Sequence, residues 1–177
     1  MPELPDLTVY VEAIDARARG ETIERVRVPN VFVVRTFDPP IREAEGKRVV
    51  GVRRIGKRIV LELEGDLFLA IHLMIAGRLH WLPAKPNVPP KRGLAAIDFA
   101  KGTLLLTEAG SKRRAAIHLV RGAGALAALD RGGVEPLEVD AGAFAAALRR
   151  ESRTLKRALT DPATFAGIGN AYSDEIL

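Results

Sequence analysis

Apolar residues near the start of the chain recur at the spacing of one helix face. They are Leu7, Tyr10, Val11, Ile14 and Ala18, and this period predicts a helix over residues 6–19. Pro5 lies where the first turn of a helix tolerates proline, and Gly20 follows the last periodic residue as a stop. The chain is therefore expected to open with an amphipathic helix.

From residue 21 to about residue 120 the pattern changes to short runs rich in β-branched residues. These runs cover residues 48–52, 58–63, 67–71, 96–99 and 103–106. Turn-forming residues separate them at 64–66 and 101–102, and the prolines between residues 83 and 93 indicate a loop. Several short strands joined by turns are typical of an antiparallel sandwich or barrel.

The composition changes again after residue 121. Residues 122–133 are rich in Gly and Ala and are interpreted as part of a linker. Asp140 is expected to cap a helix at 141–150, and further helices are predicted at about 152–160 and 171–177. We therefore predict an N-terminal domain at 1–121, a linker at 122–139 and a partial helical domain at 140–177. The third helix stops in mid-pattern, so we expect this chain to be shorter than the full design.

Composition and charge exclude several classes of protein. No apolar stretch reaches the length of a membrane span, and the acidic start does not resemble a secretory signal. The expected location is the cytoplasm or, in a bacterium, the nucleoid. The chain lacks cysteine and has three scattered histidines, so no disulfide, thiolate nucleophile or metal site is predicted. The net charge of +5 favours a polyanionic partner.

The N-terminus offers a candidate nucleophile. A Met-Pro start commonly loses its methionine, which would leave Pro2 with a free secondary amine. An α-amino group titrates near about 8, so much of it is unprotonated near neutral pH and can attack carbon. Glu3 is a candidate general acid for a sugar ring oxygen. Taken alone, these residues favour the simpler interpretation that Pro5 merely begins a helix.

Residues 2–6, with the sequence PELPD, resemble the amino-terminal signature of the formamidopyrimidine-DNA glycosylase family, which includes the endonuclease VIII branch. The Leu-Pro pair is closer to the formamidopyrimidine branch, whereas Asp6 replaces the usual glutamate. The resemblance implies that Pro2 is the nucleophile and Glu3 the acid. It also implies an α+β fold, with an N-terminal helix, an antiparallel β-sandwich and an incomplete helix-two-turn-helix domain. Lys57 matches a lysine that contacts a DNA phosphate; an ordinary strand start is the alternative.

Two further loops resemble DNA-binding loops of that family. Residues 71–79 match the loop that inserts a side chain into the duplex, and the family commonly has methionine at the position of Ile75. Either Met74 or Ile75 would fill the space left by a flipped base; a buried strand end is the alternative. Residues 107–114 match a loop that carries an arginine and a wedge phenylalanine. Here that loop has no phenylalanine and ends in Lys112, Arg113 and Arg114, which either face a phosphate or form a solvated charge run.

The most specific match lies near the end of the chain. Residues 133–137 resemble the inter-domain joint of the family, and residues 155–161 and 166–175 resemble its helix-two-turn-helix. Gly167 and Gly169 would bring backbone amides to a phosphate at a helix start, and Asn170 and Lys156 would add side-chain donors. Between residues 149 and 157 there are five basic residues and one acidic residue, which supports a DNA-facing side.

The resemblance implies a base-excision-repair glycosylase with abasic-site lyase activity. The substrate would be damaged double-stranded DNA carrying an oxidised base, such as formamidopyrimidine or 8-oxoguanine, and the enzyme would act as a monomer without a cofactor. The family often binds zinc through four cysteines in a C-terminal finger, which this chain lacks. Two alternatives stay open from the sequence: a non-catalytic module that binds damaged DNA, and a basic β-sandwich with no role on nucleic acid.

Overall fold

A computed structural model describes residues 1–83, 85–110 and 112–177. Within this part, the helices are α1 (Leu4–Ala18), α2 (Ala123–Ala127), α3 (Ala141–Arg149), α4 (Leu155–Thr160) and α5 (Asn170–Ile176). The strands are β1 (Arg25–Arg27), β2 (Val49–Ile55), β3 (Arg58–Leu63), β4 (Leu67–His72), β5 (Gly77–Leu82), β6 (Gly93–Phe99), β7 (Gly102–Glu108) and β8 (Ala116–Arg121). Two short 3-10 turns lie at Val31–Val33 and Ile41–Ala44.

The strands form two antiparallel sheets, in the orders β1-β6-β7-β5 and β2-β3-β4-β8. The predicted α+β fold with an antiparallel sandwich is therefore confirmed. Buried side chains from both sheets and from α1 form one core cluster, in which Trp81 stacks on Phe99 with ring centroids 5.5 Å apart. The predicted turn at residues 64–66 joins β3 to β4, where Gly65 and Asp66 both adopt positive φ.

Helix α1 begins two residues before its predicted start. Asp6 Oδ2 accepts a hydrogen bond from the backbone N–H of Glu3 at 2.9 Å, which satisfies a donor that the helix leaves unpaired. Leu7, Ile14 and Ala18 are buried against the core. The carboxylate of Asp15 accepts a hydrogen bond from the N–H of Val52, so α1 is fixed to strand β2. The first residues of the chain are therefore held in place by the second sheet.

The segment at 122–139, which was predicted as a linker, begins with helix α2. Leu126 of this helix is buried together with Val60, Ala70 and Val120 in a cluster on the second sheet. The Gly- and Ala-rich composition suggested a linker, but one leucine is enough to dock the short helix on a neighbouring apolar surface. The domain limits at 121 and 140 stay predictions.

The C-terminal helices enclose a small core of their own. Ala147, Leu159, Phe165 and Ile168 are buried there, and Phe144 packs on Phe165 with ring centroids 4.4 Å apart. Asp140 caps α3 as predicted, since its carboxylate accepts from the N–H of Ala143. Helix α4 begins at Leu155, three residues later than predicted, because Thr154 provides its cap. Among the described residues, no helix has both the length and the apolar character needed to cross a membrane.

Candidate functional site

The N-terminus of α1 meets the C-terminal helices and the β2–β3 turn. The backbone N–H of Leu4 donates to the carbonyl oxygen of Gly167 at 2.9 Å, across the boundary between the sandwich and the helices. Pro2 and Glu3 precede this contact and are both buried. The predicted catalytic residues therefore lie where three parts of the chain come together.

The carboxylate of Glu3 is held by backbone amides at the start of α5. Its oxygens accept hydrogen bonds from the N–H groups of Gly169 at 2.7 Å, Ala171 at 3.0 Å and Tyr172 at 3.1 Å. Glu3 is only 4% exposed, so these bonds are shielded from water. The first N–H groups of a helix lack partners within the helix, and its dipole favours negative charge there. The pocket therefore fixes the position of the Glu3 carboxyl group.

Lys57 approaches the same pocket from the β2–β3 turn. A Cβ atom built at Gly169 would lie 2.5 Å from Glu3 Cδ and 2.8 Å from Lys57 Nζ, so both side chains press against this glycine. Burial lowers the pKa of Lys57, and the negative charge of Glu3 partly opposes that effect. The predicted residues Glu3 and Lys57 are therefore neighbours in space, and only a residue without a side chain fits between them.

Pro2 is buried, whereas Met1 is exposed. While Met1 is attached, the Pro2 nitrogen is a tertiary amide without a nucleophilic lone pair. Removal of Met1 would leave a secondary amine directly before Glu3. Chemistry at Pro2 therefore requires processing of the N-terminus.

The two glycines predicted to bring backbone amides to a phosphate make contacts within the protein. The N–H of Gly169 is used by Glu3, and the carbonyl of Gly167 is used by Leu4. Gly167 has a φ of +85°, and a Cβ atom there would lie 2.9 Å from the Cβ of Leu4. A carboxylate of the protein thus accepts from the Gly169 amide, and the approach of a phosphate to the backbone at these two glycines stays a prediction.

Asn170 and Lys156, the other residues predicted in this motif, are exposed. Lys156 Nζ forms a salt bridge with Asp174 Oδ1 at 2.5 Å across helices α4 and α5. Both side chains are accessible to an external partner, and their role in DNA binding stays a prediction.

The β4–β5 turn separates the two candidates for insertion into a duplex. Ile75 is 59% exposed, whereas Met74 is partly buried and has a φ of +53°. The N–H of Met74 donates to Nδ1 of His72 at 3.2 Å, which fixes this unusual backbone conformation. The turn therefore presents Ile75 to solvent more than it presents Met74.

The loop between β7 and β8, which carries the predicted basic residues, lies beside the β4–β5 turn. Gly77 pairs with Glu108 and His72 pairs with Ala116, so the loop between β7 and β8 adjoins the β4–β5 turn. Glu108 is 1% exposed, and its carboxylate accepts from the N–H groups of Arg114 and Ala115. The side chains of Lys112, Arg113 and Arg114 are exposed. Ser111 lies outside the described residues.

Comparison with known proteins identifies the family. Residues 1–119 match the family described as "Formamidopyrimidine-DNA glycosylase N-terminal domain". The chain belongs to this glycosylase family.

Curated relatives extend the likeness over the whole chain. The chain is 33% identical to the formamidopyrimidine-DNA glycosylases of Solibacter usitatus and Heliobacterium modesticaldum, and the alignments cover 100% of this chain and 64% and 66% of those proteins. This glycosylase-family chain thus spans just under two thirds of their length.

Solved structures of the family share the fold. A Lactococcus lactis formamidopyrimidine-DNA glycosylase bound to DNA containing an abasic site superposes with a TM-score of 0.84 at 25% identity, covering 99% of this chain and 68% of that one. The protein MutM, in complex with DNA containing carbocyclic 8-oxo-G, gives a TM-score of 0.86 at 25% identity, with 99% and 68% coverage.

Arg54 and Glu135 are site residues that sequence reasoning missed in this glycosylase-family chain. Arg54 donates to the carbonyl of Gly56 at 2.8 Å and forms a salt bridge with Glu135. Arg54 thus connects the turn that carries Lys57 to the joint before the C-terminal helices. Glu135 falls within residues 133–137, the segment that resembles the inter-domain joint, but nothing local shows that it meets Arg54.

His72 is a third missed residue. Burial, followed by the positive charges of Arg58 and Lys57 and by His118, lowers the pKa of His72 to about 4. The neutral ring can therefore accept the hydrogen bond from Met74 at neutral pH. A single histidine at a strand end gives no sequence signal for this role.

Proposed function

We propose that this chain carries the catalytic centre of a base-excision DNA glycosylase with abasic-site lyase activity, and that Pro2 is its nucleophile. The main support is the pocket around Glu3: a buried carboxylate held by three backbone amides, with Lys57 against it and Pro2 next to it. A site that fixes one carboxylate and one ammonium group beside an N-terminal proline suits an amine nucleophile.

In the proposed reaction, the Pro2 amine attacks the sugar carbon C1′ and the bond to the damaged base breaks. The base leaves with the electron pair of that bond and takes up the proton that the Pro2 amine loses. The sugar ring then opens as Glu3, protonated at this step, delivers its proton to the ring oxygen, which leaves a Glu3 carboxylate and an iminium ion between Pro2 and C1′. The ionised carboxylate then faces this cation and stabilises it.

The iminium ion makes strand cleavage possible. It acidifies the hydrogen at C2′, and loss of that proton expels the 3′ phosphate by β-elimination. A δ-elimination then expels the 5′ phosphate, and water hydrolyses the iminium to restore the amine. No cofactor is needed for any of these steps, and Lys57 is positioned to contact a phosphate near the reacting sugar.

The proposed partner is damaged double-stranded DNA. Lys57, Ile75 and the basic residues at 112–114 all lie at one end of the second sheet or beside it, because β3, β4 and β8 are paired in register. The net charge of +5 supports binding to a polyanion. Oxidised purines are the proposed lesion class, and the cytoplasm or nucleoid is the proposed location.

Borohydride trapping tests the proposal. The purified chain is incubated with a duplex containing one abasic site, and borohydride is added to reduce any iminium to a stable adduct. We expect a covalent protein–DNA adduct with Met1 removed and none with Met1 retained, because only the former has a Pro2 amine. No adduct in either form, with salt-sensitive DNA binding intact, would contradict the enzyme and leave the DNA-binding module.

A further inference from the structure

An exposed phenylalanine lies on the connection between β1 and β2. The side chain of Phe32 is 80% exposed, yet its backbone is held in place. Asn30 caps the 3-10 turn by accepting from the N–H of Phe32 at 3.2 Å, and Val34 forms a β-bridge with Ile117. A large apolar ring fixed in solvent is a feature of interaction sites. Burying such a ring stabilises a protein, and an exposed ring forgoes that stabilisation until a partner covers it.

The surroundings of this ring are strongly basic. A shallow cavity of about 320 Å³ is lined by Pro29, Asn30, Val31, Phe32, Pro90, Gly93 and Arg113. Arg113 donates to the carbonyl oxygen of Lys91 at 2.6 Å, which fixes its guanidinium group at the rim. Three further basic side chains are exposed nearby: Lys91 and Arg92 on the β5–β6 loop, and Lys112 on the β7–β8 loop. Glu108, at the end of β7, is buried and its carboxylate accepts from the backbone amides of Arg114 and Ala115, so it is directed to the backbone and away from these exposed side chains.

A flat apolar ring with a cationic rim has the chemistry of a nucleobase-binding site. Unpaired bases stack on aromatic side chains, while neighbouring Lys and Arg hold the phosphates of the strand. A purely apolar protein partner would not explain the cationic rim, and a folded duplex hides the faces of its bases. The charge complementarity therefore favours an unpaired base of a DNA strand as the occupant.

The position of Phe32 separates this site from the Glu3 pocket. The bridge between Val34 and Ile117 places the segment beside β8, whereas Lys57 lies before β3, on the far side of β4. Three strand spacings correspond to roughly 15 Å. A base at Phe32 is therefore a different base from the one handled at Glu3. When an enzyme flips one nucleotide out of a duplex, the partner base loses its pair and becomes available for stacking.

We propose that Phe32 stacks on the unpaired base opposite the lesion, with Arg113 holding the strand beside it. The proposal rests on the proposed function, since it takes damaged duplex DNA as the ligand. The contact with the opposite base would then come from the β1–β2 connection, because the β7–β8 loop has no aromatic residue.

The test uses a duplex with a stable abasic analogue opposite 2-aminopurine, whose fluorescence is quenched by stacking. We expect Phe32→Ala to weaken binding by about five-fold or more, given the free energy of base–aromatic stacking, and to change the 2-aminopurine signal. Phe32→Trp should retain both. Phe37→Ala is the matched control: Phe37 is 89% exposed, but its cavity is lined by apolar and neutral residues and lacks a basic rim.

Each outcome bears on the proposal. Equal binding and equal fluorescence for Phe32→Ala and the parent would overturn it, as would an equal loss of affinity for a fully paired duplex. If either of these results is obtained and the parent still forms the borohydride adduct with abasic DNA, the proposed function stands while the stacking site falls. If the parent binds neither duplex, both proposals fail together.

Discussion

The pocket around Glu3 and the loops at the end of the second sheet are built in opposite ways. Glu3 is 4% exposed and its carboxylate has three backbone donors, whereas Ile75 and Phe32 are 59% and 80% exposed. The pocket is complete before any ligand arrives. The loops have a fixed backbone from which Ile75 and Phe32 extend into solvent. This contrast indicates a preorganised reaction centre beside a surface whose contacts form on binding.

Gly169→Ala should have the largest effect, because it breaks the preorganised pocket. The added methyl group would lie 2.5 Å from Glu3 Cδ and 2.8 Å from Lys57 Nζ, so the carboxylate or the lysine must move. We expect unfolding free energy to fall by about 2–3 kcal/mol and adduct formation to be lost. Denaturant unfolding and borohydride trapping measure the two effects. Gly124→Ala is the control, since a Cβ atom there meets nothing within 4 Å; equal behaviour of the two variants would contradict the close packing.

Glu3→Gln tests the charge of the pocket with little change in shape. The amide has one acceptor oxygen in place of two, and its NH2 group would face a backbone N–H. We expect a loss of about 1–3 kcal/mol in unfolding free energy and a marked fall in adduct formation. Glu12→Gln, on the exposed face of α1, is the control for charge removal. Full adduct formation by Glu3→Gln would show that the carboxylate is not needed.

Ile75→Ser tests the exposed β4–β5 turn. The side chain is exposed, so we expect little change in unfolding free energy but weaker binding to a duplex with an abasic site, by about ten-fold. Fluorescence anisotropy at fixed salt measures the affinity. Val9→Ser removes a similarly exposed apolar side chain from α1 and should leave binding unchanged. A large loss of stability in Ile75→Ser would mean that the turn packs as a core element.

Acidification should destabilise the protein through His72, which fixes the backbone of the β4–β5 turn. The pKa of His72 falls from 6.5 to about 4 on folding, so the unfolded chain binds the proton more readily. The stabilising contribution is therefore complete above pH 6.5 and is lost as the pH falls towards 4. It amounts to about 2 kcal/mol, allowing for the partly exposed ring.

His72→Asn keeps an acceptor for the N–H of Met74 and removes the titration. Unfolding measured between pH 7 and pH 4 should therefore show a shallower loss of stability for this variant than for the parent. Exposed His80→Gln should follow the parent. An identical pH dependence in all three proteins would contradict the assigned role of His72.

The sequence predicted most of the elements, because their signals are local. The residues that specify one such element lie within a few positions of each other. Examples are the period of apolar residues in α1, the turn at residues 64–66 and the Asp140 cap. The pocket could not be predicted in the same way. Glu3 and Gly169 are separated by 166 positions, and each belonged to a different predicted role. Helix α2 was missed for a related reason, since the burial of Leu126 depends on a sheet surface formed by distant residues.

The location of the reduced adduct in the chain decides whether Pro2 is the nucleophile. Lys57 is the rival amine, because burial lowers its pKa and it lies against the same pocket. After trapping on abasic DNA, nuclease treatment and trypsin digestion, mass spectrometry identifies the modified peptide. We expect the sugar remnant on the N-terminal peptide that begins at Pro2 and ends at Arg17. A remnant on the peptide containing Lys57, with the N-terminal peptide unmodified, would contradict it.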